Sequence, residues 1–217
     1  MDLFNLPKST EFGRVIPKNA FDEYTNTKQK KLIADSILRI TWTHKLSQDT
    51  TNLNTKELKE IQIFFIELKL KTDLKKILAI INKAIPYHII FVLRSEDEYL
   101  ISTSAKHDHI SKLNESVIDC TFRTSWIERS QFNVPLVLTE SLDHTFIRFC
   151  NQITARAIEY SSYAEFVEQE SRIREIESKI RTITSQVKKE KQFNKKVNLN
   201  MELSDLKSQL QSILKVS

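Results

Sequence analysis

With 217 residues, 40% of them hydrophobic and 28% charged, the chain has room for one domain of about 150 residues with its own core plus an appendage. Its single glycine, Gly13, argues against a phosphate-cradling loop, a dinucleotide fingerprint or the Gly-rich turn of a methyltransferase, and so against independent ATP, NAD or S-adenosylmethionine chemistry. A formal charge of +5 with an isoelectric point near 9.1 points toward a nucleic-acid partner, although Lys-rich solvated faces give the same balance.

Residues 1–18 hold Pro7, Gly13 and Pro17 among scattered apolar residues and read as an irregular arm. Asn19 offers a cap for a short turn through Tyr24. A helix is expected from Thr27 as N-cap, with Leu32, Ile33, Ile37 and Ile40 on one face and Trp42 ending it or opening a strand. Residues 47–56 are a polar connection in which Asn and Asp do the turning. Ile61 to Lys69 is β-branched and aromatic, apolar on both faces at first and alternating later, which predicts a central strand. Asp73 can cap a helix carrying Leu74, Ile77, Leu78, Ile81 and Ile85, stopped by Pro86. His88 to Leu93 is a second apolar strand, Arg94 to Glu98 a charged turn, Tyr99 to Ser104 the returning strand, and Val117 to Thr124 a further one. The order predicts an α+β body with a mixed β-sheet, at least one crossover covered by the helix at 73–85, and packed helices.

From Ser141, a plausible N-cap, the pattern reads as helical to the end. Leu142, Phe146, Phe149 and Ile153 complete the body, taken as residues 1–160. In the tail, residues 161–217, Ile173, Ile176, Ile180, Ile183 and Val187 alternate spacings of three and four, as do Leu199, Leu203, Leu206, Leu210 and Ile213. The two seams are out of phase, and the basic segment 188–196 separates them. This favours an antiparallel coiled-coil hairpin with the lysines at its tip; the same heptads would also serve a dimer through the tail.

Five lysines of that segment, Lys188, Lys189, Lys191, Lys195 and Lys196, face Glu190 alone and enclose Phe193. They suit nucleic-acid binding, phosphate contact with one stacking ring, as well as they suit a solvated tip. Glu67 and Lys69 imitate the E-x-K element of restriction-type nucleases, which need clustered carboxylates for Mg²⁺ and a lysine to steady developing charge. The second carboxylate would be Asp49, Glu57 or Glu60; a solvated strand end is the plainer reading. His107-Asp108-His109 offers metal ligands without obvious companions, and no metal site is expected. Trp42 beside His44 and Lys45 reads as a core anchor with a polar rim. Cys120 and Cys150 have no activating neighbour and read as buried structural thiols. The start, Met1-Asp2-Leu3-Phe4-Asn5, lacks a secretory pattern and no apolar run reaches about 18 residues, so a cytoplasmic protein with no membrane partner is expected.

Ile16-Pro17-Lys18, Thr41-Trp42-Thr43-His44-Lys45-Leu46, Glu60-Ile61-Gln62-Ile63-Phe64, Ile85-Pro86 and the run from Glu190 to Asn200 together resemble a bacterial family known only as domain of unknown function 4391. The resemblance spans nearly the whole chain and carries no assigned activity. It implies genes set beside helicases, adenine methyltransferases and restriction-like systems. The expectation is a non-catalytic accessory subunit, without cofactor, of a DNA-modifying or foreign-DNA defence system, partnered by a larger helicase- or methyltransferase-class protein. The alternatives are an Mg²⁺-dependent nuclease and an autonomous DNA-binding protein.

Overall fold

A segment that is apolar on both faces must be covered on both faces, and the run at residues 60–68 meets that condition in the middle of a sheet. The structure, a computed structural model, describes residues 3–108 and 116–215. It falls into two compact units, Met1–Ala155 and Arg156–Ser217.

In the first unit, β3 (Glu60–Leu68) pairs antiparallel with β2 (Ile37–Ser47) and parallel with β4 (His88–Ser95). The parallel pair requires a crossover, supplied by α3 (Lys75–Ala84). The Asp73 carboxylate accepts the Lys75 N–H at 3.1 Å, and the helix ends where Ile85 turns extended ahead of Pro86. Its stripe of Ile77, Leu78 and Ile81 is buried against Phe64, Ile66, Phe91 and Leu93. A tight turn with Glu96 at φ 54° leads into β5 (Glu98–Asp108), which pairs with β6 (Ser116–Arg123) and, at its start, with the two-residue β7 (Ile127–Glu128). With β1 (Glu11–Ile16) on β2, the described strands form one mixed sheet in the order β1-β2-β3-β4-β5-β6, with β7 beside β5.

Alternation along β4 assigns the two covers. Ile89, Phe91 and Leu93 join the core under α3, while His88 meets Phe146 of α4 (Leu142–Thr154) edge to face at 4.9 Å, so the two helices lie on opposite faces. The expected cap holds, because Ser141 Oγ accepts the His144 N–H at 3.1 Å. Next to it the buried Asp143 carboxylate accepts the N–H groups of Lys56, Glu57 and Leu58 at 3.0, 2.9 and 3.1 Å. That clasp fixes the connection ahead of β3.

Three expectations are corrected in this unit. The helix read from Thr27 through Ile40 stops early: α1 is Thr27–Ser36, with Asn26 as N-cap in a reciprocal capping box with Gln29, and Ile37 and Ile40 belong to β2. Helical and strand spacings coincide over so short a run, and the β-branched and aromatic residues from 37 to 43 find a partner in β3, which local periodicity does not register. The arm is not wholly irregular, since it contains β1, an edge strand held by backbone pairing. The polar connection 47–56 contains α2 (Gln48–Thr51), capped by the Ser47 and Thr50 hydroxyls and ended by Asn52 at φ 57°.

The helix read as unbroken from Ser141 is interrupted twice. Ala155 closes α4 in the left-handed conformation at φ 52°, and α5 (Tyr163–Lys189) starts only at Ser162, whose Oγ accepts the Glu165 N–H at 3.1 Å. Glu190 then leaves the helical conformation, and α6 runs Phe193–Lys215. The second unit is built on these two long helices, which contact each other. Ile173, Ile176 and Ile183 are buried. Along α6, Leu199, Leu203, Leu206, Leu210 and Ile213 are half-buried, and every other side chain described there is exposed. Glu170, 0% exposed, accepts two hydrogen bonds from Arg156 Nη1 at 2.7 Å each and one from the Tyr160 hydroxyl at 3.1 Å, while Arg156 Nη2 reaches Glu177 at 2.9 Å. Among the described residues no helix is long and apolar enough to cross a membrane.

Candidate functional site

The basic segment straddles the break between α5 and α6. Lys188 and Lys189 occupy the last turn of α5, where the helix dipole favours cations; Lys191 lies in the link, and Lys195 and Lys196 in the first turn of α6. All five are exposed, Phe193 is 78% exposed, and among the described residues none of the five ammonium groups is in an ion pair. Glu190 is spent locally. Its carboxylate accepts the N–H groups of Lys191 and Gln192, both at 2.8 Å, and the Gln192 bond foremost, then the Lys191 bond and the charge of Lys195, hold its carboxyl below the usual range. What remains is a water-facing cationic surface with one unburied ring, suited to a phosphate backbone and a stacked base.

Glu67 and Lys69 have other surroundings. Glu67 lies opposite Arg39 on β2 and Arg94 on β4, the latter guanidinium 4.0 Å away. Lys69 Nζ donates to the Ala34 carbonyl at 2.7 Å. Of the companion carboxylates, Glu60 is at the opposite end of β3, about 23 Å off at ~3.3 Å per residue. There it is held by Lys45 at 3.1 Å and Gln62 at 2.6 Å. Asp49 follows Ser47, the β2 partner of Glu60, and Glu57 precedes β3, so both belong to that far end. Among the described residues no three His, Cys, Asp or Glu side chains gather as a metal site would need.

His107 Nδ1 is 2.9 Å from the Asp119 carboxylate across β5 and β6, and His109 lies outside the described residues. Trp42 is half-buried, donates from Nε1 to the His44 carbonyl at 2.8 Å and stacks on Phe12 with centroids 4.0 Å apart; His44 itself is buried. Cys120 and Cys150 are both buried.

The feature that sequence reading missed is a cavity of about 300 Å³ between α3 and the β4–β6 end of the sheet. Leu78, Ala79 and Phe91 supply its apolar wall; Ser102, Ser104 and Thr121 supply hydroxyls from the sheet, and Lys75 and Arg123 supply charge. Arg123 Nη1 donates to Asp73 at 3.1 Å. The Asp73 carboxyl is held low, chiefly by the Lys75 N–H and then by Arg123. Ser104 and Thr121 share a hydroxyl hydrogen bond of 2.9 Å. Asn82, 2% exposed, also lines the space, and its Oδ1 has no hydrogen-bond partner among the described residues. The neighbouring Lys106, 2% exposed, donates to the carbonyls of Asn82 and Ile85 at 2.7 and 2.5 Å, closing the end of α3. Burial pushes its amine down to about 7. Burial, then the charge of Lys106, pushes His88 down to about 3. The readable signal was Ser102-Thr103-Ser104, polar on both faces of a strand inside a covered sheet, with Asn82 set in the apolar stripe of α3.

A family model described as Domain of unknown function (DUF4391) matches residues 4–210 of the chain. No curated protein and no solved structure matches it.

Proposed function

Because the chain belongs to the DUF4391 family, whose description carries no activity, we propose its function from its own surfaces: a non-catalytic accessory subunit that contacts nucleic acid through residues 188–196. The observation that carries this reading is the basic segment itself, five exposed lysines around a ring left 78% exposed. Beside ammonium groups that form no ion pair among the described residues, a ring so exposed has the composition of a strand-binding surface. In this reading α5 and α6 form an antiparallel coiled-coil hairpin and present the segment at its tip, supported by the three-and-four stripe that is half-buried along α6. The sheet-bearing unit docks on a larger helicase- or methyltransferase-class enzyme of a DNA-modifying or foreign-DNA defence system, in the cytoplasm. The family resemblance motivates that placement.

The test is the salt dependence of DNA binding. Replacing Lys188, Lys189, Lys191, Lys195 and Lys196 by Gln should flatten the slope of log affinity against log salt by up to about 4.5 on duplex DNA, at ~0.9 for each phosphate no longer neutralised. Phe193→Ala should weaken single-strand binding by about 1–3 kcal/mol. An unchanged slope rejects the interface, and affinity capture from the native host that recovers no helicase, methyltransferase or nuclease rejects the placement.

A further inference from the structure

We propose that the cavity beneath α3 binds a small, elongated organic anion that carries its charge at one end and an N–H donor at the other. Strand register and helix rise set the two ends. Ser102 lies opposite Arg123 and Ser104 opposite Thr121. On α3, Lys75 and Asn82 are seven residues apart, about 10 Å at 1.5 Å per residue. Lys75 and Arg123 therefore share one end with Asp73, and Asn82, Ser104 and Thr121 share the other.

The space exists because of the residues chosen for it. Elsewhere under α3 the sheet presents Phe64, Ile66, Phe91, Leu93 and Leu100, which fill the interval to the helix. At Ser102 and Ser104, 4% and 3% exposed, serine is too short to do so, and volume remains where a branched aliphatic side chain would close the core. At the charged end two cations meet one carboxylate, leaving a surplus that a single anionic group neutralises. At the other end the buried Asn82 Oδ1 lacks a donor among the described residues, a condition that native interiors rarely tolerate and that a ligand N–H relieves. Leu78, Ala79 and Phe91 take the hydrocarbon between.

The experiment is thermal melting and calorimetric titration of the full chain with two probes that share this chemistry, adenosine 5′-monophosphate and the amine-blocked tripeptide N-acetyl-trialanine. At millimolar concentration one of them should raise the wild-type melting temperature: a response to the nucleotide alone identifies a phosphate headgroup, and one to the tripeptide alone a carboxylate. Ser102→Leu, which fills the cavity, should melt no lower than wild type without probe and lose the response. Arg123→Gln, at the mouth, should weaken binding at least tenfold, and it keeps the test decisive if leucine at 102 is not accommodated. No shift of the wild type with either probe overturns the proposal, as does a shift that survives undiminished in both variants.

Discussion

In the unit Met1–Ala155 a lysine, Lys106, is drawn inside, stripped of water and set against two helix-end carbonyls; in the unit Arg156–Ser217 five lysines stand in solvent. The same side chain thus does opposite work. Buried, its ammonium is disfavoured, its proton becomes labile near neutrality, and its geometry is fixed by two acceptors. Exposed, it keeps its charge and its freedom, and what it offers is attraction through water that salt can screen. Disturbances of the first unit should therefore register as stability and pH dependence, and those of the basic segment as salt-dependent binding.

The largest test of this division compares two phenylalanines. Phe91, 1% exposed under α3, should cost about 3–5 kcal/mol as Phe91→Ala in urea unfolding. Phe193→Ala, removing a ring that is 78% exposed, should stay within about 0.5 kcal/mol. Comparable losses would mean that Phe193 is held by a packed surface. The second test probes where the division fails, since the tail unit also buries a charge. Arg156→Ala removes from Glu170, which is 0% exposed, two hydrogen bonds of 2.7 Å and leaves it the Tyr160 hydroxyl and an Arg174 guanidinium 4.0 Å away; it should cost about 3 kcal/mol, because those partners compensate a buried carboxylate poorly. A loss under about 1 kcal/mol would show the pair to be solvated.

The smallest effect is the pH dependence. His88 in the folded chain titrates near 3 instead of 6.5, so between those values the unfolded state takes up a proton that the folded state refuses. The stability that depends on a neutral His88 is therefore complete above pH 6.5 and is lost as the pH drops, by about 2 kcal/mol at pH 5, 1.5 units below, at ~1.4 kcal/mol per unit. His88→Phe should remove that acid-side loss, and an unchanged profile would contradict a neutral buried imidazole. Lys106, lowered from 10.5 to about 7, works on the other side: the unfolded chain holds its proton through that window, so stability rises from pH 7 toward 10.5.

How much of this was legible follows from where the signals reside. The central strand, the crossover helix, the Ser141 cap and the lysine segment each declare themselves within a dozen consecutive residues, as composition or period. β1 does not, because its residues from Glu11 to Val15 are exposed and its place comes from backbone pairing, which leaves no alternation to read. Ile37 and Ile40 misled for a related reason, their helical spacing being overruled by a partner strand that lies more than twenty residues on. The cavity was the least legible feature. Asn82, Ser102 and Thr121 are ordinary one by one, and only the register of β5 on β6 and the passage of α3 above them bring them together.

Apart from the short β7, each strand of the sheet lies beside its neighbour in the chain. A sheet threaded in that order can be assembled by accretion, each new strand adding to an edge already formed, so little of the chain has to wait for a distant partner. Only the parallel step from β3 to β4 must loop over before it closes, and that step should set the pace of folding. During synthesis the first hairpins can zip up as they leave the ribosome, well before the last helix is made.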